Sequence, residues 1–455
     1  MIAQPFVSPD DIRATFCTAL SSMYREEVPL YGDLVQLVND VNEVVTKSAP
    51  DFWEIGDRLR VERHGAIRLG TKSELTMIAR LFKVMGMFPV GYYDLSTSGV
   101  PVHSTAFRPT TVTALEKHPF RIFTSLLRPE LIPDVKLRQE IESILVERDI
   151  FHPLVRKLVD KAEKEGGLNR EDSNFLVESA LETFKWHDRA LVDEDTYTKM
   201  KKTHPLLADV AGFKGPHINH LTPRTLDIDA VQRMMAERGI PPKMVIEGPP
   251  RRLCPILLRQ TSFQALTEPV LFAGASPGEN SHGSHRARFG EIESRGAALT
   301  PQGHFLYQSL MKQAGAFTPT DNNDRWQSRL STIFSPFPDT WNDIRKQNLA
   351  YFRYTLDNSA SLSLVDEGSH IDQLLDQGIV KITPIVYEDF LPASAAGIFQ
   401  SNLGDHQKTT TEGTSARVEM ETALGTTIQE YFELYADIQH QSLLEIMEIT
   451  GCQVD

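Results

Sequence analysis

Three short stretches carry side chains with usable chemistry at regular spacing. RHGAIRLG (63–70) sets His64 four residues before Arg68, HINHLTPR (217–224) sets His220 four before Arg224, and FGEIESRG (289–296) carries Glu291, Glu293 and Arg295 at alternate positions. Residues two or four apart on a strand share a face. His64 therefore accompanies Arg68, His220 accompanies Arg224, and His217 faces the other way. Two acidic side chains on one buried sheet face are costly unless a cation meets them. Two histidines and a glutamate meet the needs of a 2-His-1-carboxylate site, which leaves positions on Fe(II) for a chelating substrate and dioxygen. The same donors on a redox-inert ion suit hydrolysis or isomerisation, so residue types alone leave the metal open. Arg68, on the face of His64, suits a planar fork for a substrate carboxylate. Arg224, between Pro223 and Thr225 where the strand ends, reads as structural.

The elements that must position these residues follow from periodicity. RHGAIRLG is a strand, TKSELTMIARLFKVMG a helix closing at Gly86, and FPVGYYDLS, VPVHSTAFR and PFRIFTSLL three more strands. The order returns later: HINHLTPRTL as strand, DIDAVQRMMAERG as helix, then PKMVIEGP, LLRQTSFQAL and HRARFGEIESRG as strands. Superposing the two helices brings His64-x-x-x-Arg68 onto His220-x-x-x-Arg224, which points to an internal duplication of a βαβββ unit. The fold class is α+β: a helical segment over 1–55, a first unit over 56–130, a charged amphipathic helical insertion over 131–208, a second unit over 209–310 and a C-terminal segment over 311–455.

Composition bounds the partners. The 455-residue chain has a formal charge of -14, which disfavours polyanions such as nucleic acid but leaves room for a small anion held by local arginines. Cys17, Cys254 and Cys452 lie too far apart in sequence to suggest a disulfide framework or thiolate zinc site, and suit a reducing cytoplasm. With no 18-residue apolar run and no signal-like N-terminus, a cytoplasmic protein without a membrane span is expected. Oligomeric state is not readable.

RHGAIRLGT, HINHLTPR, ARFGEIESRG and VYEDFLPASAAGIFQSNL, in that order along nearly the whole chain, resemble the 2-oxoadipate dioxygenase/decarboxylase family of the vicinal oxygen chelate superfamily. The resemblance implies paired βαβββ modules forming a half-open barrel around Fe2+. It also implies the reaction of 2-oxoadipate with O2 to give D-2-hydroxyglutarate and CO2 in lysine catabolism. On this resemblance the metal histidines fall on His64 and His220, and the metal glutamate on Glu291 with Glu293 as the fallback. The substrate arginine falls on Arg68, and Ala393 and Ser394 in LPASAAG border the substrate; the small Ser394, Ala395 and Ala396 read either as a tight packing corner or as side chains that let backbone N–H groups approach the substrate's far carboxylate. No protein general base is required.

Blander readings compete at other positions. His282 and His285 in GENSHGSHRAR (278–288) read as part of a mobile active-site loop or a simple connector rather than as metal ligands, and Glu388 with Asp389 as a solvated or strand-end pair. Two other functions stay open on the same scaffold: a metal-dependent lyase, isomerase or hydrolase, and a non-catalytic small-molecule-binding protein.

Overall fold

The computed structural model describes residues 6–48, 58–96, 99–263, 266–274, 282–286, 288–315, 318, 322–357, 368–391 and 410–453. Two long N-terminal helices, α1 (Pro9–Glu27) and α2 (Pro29–Ser48), precede a single turn, α3 (Arg58–Val61). The first unit is β1 (Arg63–Leu69), α4 (Lys72–Val84), β2 (Phe88–Asp94), β3 (Val102–Arg108), the short α5 (Val112–Lys117) and β4 (Arg121–Leu127). Helix α4 starts where Thr71 and Glu74 cap each other reciprocally, and ends before Gly86 at φ 67°, a left-handed residue that suits glycine. Five helices follow as the insertion: α6 (Val135–Glu147), α7 (Pro153–Glu165), α8 (Arg170–Phe184), α9 (Glu194–Thr203) and α10 (Pro205–Ala211).

The second unit is β5 (Leu221–Pro223), α11 (Ile228–Glu237), β6 (Leu258–Ser262), β7 (Glu268–Leu271), β8 (His282–His285) and β9 (Glu291–Arg295). Its topology repeats the first. Strand β1 pairs in parallel with β4, and β5 meets β9 in parallel through Arg224 and Glu293. Strands β1 and β5 then pair antiparallel, joining the units into one ribbon. Its order is β2-β3-β4-β1-β5, continued by β9 and β6. Among the described residues no pairing joins its two ends, so it is half-open.

The second unit departs from its expected outline in three places. The strand expected over 217–226 shortens to three residues at Pro223, which has no N–H to donate. That expected over 242–249 survives only as the pairings of Pro242 with Phe263 and Glu247 with Gln260. The strand expected over 285–296 is split, because the connector expected over 278–288 instead supplies β8, the second arm of a hairpin with β7.

Alternation along β1 sends Ile67 and Leu69 into a core shared with α1, α4 and α8, whereas Ala66 packs on the opposite side in a core that includes Leu206, Leu207 and Val210 of α10. His64 and Arg68 share the parity of Ala66, so the insertion lies on their side of the sheet. A third core is built by three helices within 301–346, the hairpin β10 (Phe352–Leu356) and β11 (Val380–Pro384), and the helix Tyr431–Thr450. The three cysteines are buried and free. No helix among the described residues is long and apolar enough to cross a membrane.

Candidate metal centre

Strand register brings three donors to one face. His64 on β1 is paired with Thr222 on β5, and Arg224 meets Glu293 on β9, so Thr222 stands level with Glu291. His220 has the parity of Thr222 and joins the same face. The donor atoms of His64, His220 and Glu291 lie within 4.8 Å of one another, and all three side chains are buried. The backbone is closely packed beside two of them: a Cβ at Gly65 would sit 2.5 Å from Ile218 Cδ1 and 3.1 Å from the His220 carbonyl oxygen, and one at Gly290 would sit 1.9 Å from the Phe263 ring.

Neighbouring groups orient each donor. His64 Nε2 lies 3.1 Å from Glu291 Oε1, while its Nδ1 lies 3.0 Å from Glu293 Oε1, a close ion-pair distance off the hydrogen-bond direction. His220 Nδ1 meets the Thr222 hydroxyl at 3.0 Å, leaving Nε2 for the centre, and Gln260 Nε2 donates to Glu291 Oε1 at 2.7 Å. Phe390 stands edge-on to His64 at 5.1 Å, and Phe289 stacks on His220 at 5.0 Å. Burial lowers the proton affinity of both imidazoles. At His64 the Glu293 and Glu291 carboxylates outweigh it and hold the ring above the ordinary histidine value. At His220 burial prevails and pushes the ring down to about 4. Burial pushes Glu291 up, but His220 and His64 more than offset it, so its carboxyl stays below the usual range.

This donor set fits a divalent transition metal. Ligands about 2.1 Å from an ion stand about 3 Å apart when adjacent, which the His64–Glu291 spacing of 3.1 Å matches. Glu293 is otherwise engaged: Arg295 grips both its oxygens, at 2.7 and 2.9 Å. Of the two glutamates in FGEIESRG, Glu291 alone joins the metal-competent group.

A sequence model of the 2-oxoadipate dioxygenase/decarboxylase family matches residues 16–402. The chain belongs to that family. It is 52% identical over 444 residues to the 2-oxoadipate dioxygenase/decarboxylase of Escherichia coli K12, covering 96% of this chain and 98% of the relative. It is 50% identical over 455 residues to that of Pseudomonas putida KT2440, covering 97% of each. The crystal structure of the P. putida hydroxyglutarate synthase in complex with 2-oxoadipate superposes with a TM-score of 0.91 at 49% identity, covering 99% of this chain and 100% of the other.

In this family member Arg68 leaves β1 two alternations beyond His64 and donates to Asp209 of α10. Ala393 and Ser394 lie outside the described residues. The segment leading to them is anchored, and here the expectation for Glu388 and Asp389 is overturned. Both are buried. Arg108 grips Asp389 with two hydrogen bonds of 2.8 and 2.9 Å, while Arg58 and Arg121 hold Glu388. Arg121 also donates to Glu62, whose second oxygen takes Arg224 at 3.0 Å, so Arg224 is structural, as its strand-end position suggests. A solvated reading of Glu388 and Asp389 failed because their arginine partners, Arg58, Arg108 and Arg121, lie more than 260 residues away in sequence. Sequence reasoning also missed Thr222 and Gln260. Thr222 had a local signal, two residues beyond His220 on the same face. Gln260 had none until β6 paired with β9.

Proposed function

We propose that this chain is a cytoplasmic non-haem Fe(II) enzyme that converts 2-oxoadipate and O2 into D-2-hydroxyglutarate and CO2, a step of lysine degradation. The observation that carries this reading is the buried His64–His220–Glu291 group in a chain 49% identical, across 99% of its length, to a hydroxyglutarate synthase solved with 2-oxoadipate. His64, His220 and Glu291 hold the metal. Iron, when bound there, supplies the activation of dioxygen that a redox-inert ion cannot.

The protein's own residues then orient and exclude. Thr222 fixes the His220 imidazole by a hydrogen bond, the Glu293 carboxylate attracts the His64 ring by its charge, and Gln260 fixes the Glu291 carboxylate, so the open positions stay aimed at one place. Phe390 and Phe289 pack the two rings against apolar surface, which keeps stray water away. Arg68 holds a substrate carboxylate through its planar fork, and Ala393 and Ser394 border the substrate. The reaction balances without another reductant: decarboxylation and hydroxylation of one C–H bond together deliver the four electrons O2 accepts. No protein general base is needed.

Anaerobic reconstitution with Fe(II), followed by O2 uptake across a series of 2-oxo diacids, tests the reading. Uptake matched by CO2 and 2-hydroxyglutarate, greatest with the six-carbon diacid, is expected. Turnover without O2, or full activity with Zn2+, would establish a lyase, isomerase or hydrolase instead. Saturable binding of the diacids without turnover under any of these conditions would establish a binding protein.

A further inference from the structure

A second buried group, Asp209, His217 and His285, has donor atoms within 4.8 Å of one another and also contains two imidazoles and a carboxylate. Its contacts differ from those of the metal-competent group. Asp209 Oδ2 accepts from Arg68 Nη1, and Asp209 Oδ1 lies 3.0 Å from His285 Nε2 and 3.2 Å from His217 Nε2. Asn219 Nδ2 adds a longer contact to Oδ2 at 3.5 Å. His285 is itself held: its Nδ1 meets Tyr197 OH at 2.8 Å, and its ring stacks on Trp186 at 5.7 Å with 13° between planes. Both oxygens of Asp209 are thus engaged by donors, one of them a guanidinium. A divalent ion there would displace two imidazole hydrogen bonds and face a fixed positive charge, so the group is built as a clamp on an arginine rather than a metal cage.

The clamp bears on the reaction because its arginine is Arg68. A long side chain loses rotamer freedom when it is fixed, so one already held costs less to order when the substrate arrives. The Arg68 side chain is mostly buried, at 15% exposed, and meets Asp209 through Nη1. We propose that Asp209 is a positioning residue that pre-sets the Arg68 guanidinium for a substrate carboxylate, with His285, His217 and Tyr197 as its support. The helical insertion gains a role from this: α10 brings Asp209 and α9 brings Tyr197 to the flank of the metal centre. The inference rests on the proposed role of Arg68.

A double-mutant cycle with Asp209→Asn and Arg68→Ala, measured on the Fe(II)-loaded enzyme with 2-oxoadipate, tests it. Asp209→Asn is expected to raise KM about 3- to 30-fold, the range for directly coupled residues, with smaller loss in kcat and iron content near that of the parent. In the Arg68→Ala background the same substitution should add little. If Asp209→Asn fails to fold, His285→Gln takes its place, with a KM rise about 2- to 5-fold that again vanishes without Arg68. Full effects of Asp209→Asn or His285→Gln in the Arg68→Ala background would overturn the proposal, as would a second equivalent of bound metal lost on His285→Gln. If Arg68→Ala itself leaves KM and kcat unchanged, the failure lies in the role given to Arg68. If Arg68→Ala is impaired but the Asp209 and His285 variants are not, only the clamp fails.

Discussion

Strand β1 serves both buried histidine groups, sending His64 into one and Arg68 into the other, yet the two are chemically opposite. In the first, Glu291 has no arginine among its hydrogen-bond partners in the described residues; an imidazole and the amide of Gln260 approach it. In the second, Asp209 already holds a guanidinium, which with His217 overcomes the effect of burial and keeps its carboxyl well below the usual range. Two histidines and a carboxylate are therefore a metal site only where the carboxylate's charge is left for the metal. Residue types cannot tell these cases apart; the nearest cation does.

The largest way to break this contrast is to remove the metal. His64→Ala, His220→Ala or Glu291→Ala is expected to abolish turnover and bound iron while circular dichroism stays near that of the parent. His285→Ala should retain its iron. Iron loss from His285→Ala equal to that from Glu291→Ala would erase the distinction.

Arg68 sharpens it next. Removing one partner of a buried charged contact typically costs about 2 to 5 kcal/mol, or roughly 30- to several-thousand-fold in kcat/KM. Arg68→Ala should show such a loss with 2-oxo diacids, and Arg68→Lys a smaller one, because an ammonium keeps the charge but cannot reproduce a planar fork. Iron content should stay unchanged. A normal kcat/KM in Arg68→Lys would show that a point charge is sufficient.

Glu293 tests whether support from behind matters. Glu293→Gln is expected to weaken iron binding or activity about 10- to 100-fold, the usual cost of losing a group that orients a metal histidine. Titration with Fe(II) under argon measures it, and an affinity equal to the parent's would reduce Glu293 to an ion-pair partner of Arg295.

The smallest effect is a control outside both groups. Burial, helped by the charges of Arg13 and Arg63, pushes His118 down to about 4. The unfolded chain takes up that proton near pH 6.5 whereas the fold does not, so stability falls as pH is lowered from about 6.5 toward 4. His118→Asn should flatten the fall in Tm over pH 6.5 to 5 by the equivalent of about 1–2 kcal/mol. An unaltered slope would assign acid sensitivity to other groups.

Much of the fold was legible locally. The first unit's four strands and helix follow from period-2 and period-3.6 patterns, and parity on β1 and β9 put His64 with Arg68 and Glu291 with Glu293. The second unit was harder to read, because Pro223 cut its first strand short and the inserted β7–β8 hairpin broke the run thought to lead straight into β9. Alternation in sequence says which residues share a face, and so the chain alone determined the two histidines, the candidate glutamates and the arginine beside His64. It could not say which cation meets which carboxylate. The selection of Glu291 over Glu293 by geometry, the burial of Glu388 and Asp389, and the capture of Arg68 by Asp209 all depend on partners from other elements. Ion pairing follows proximity in space rather than spacing along the chain, and only the tertiary structure supplies that proximity.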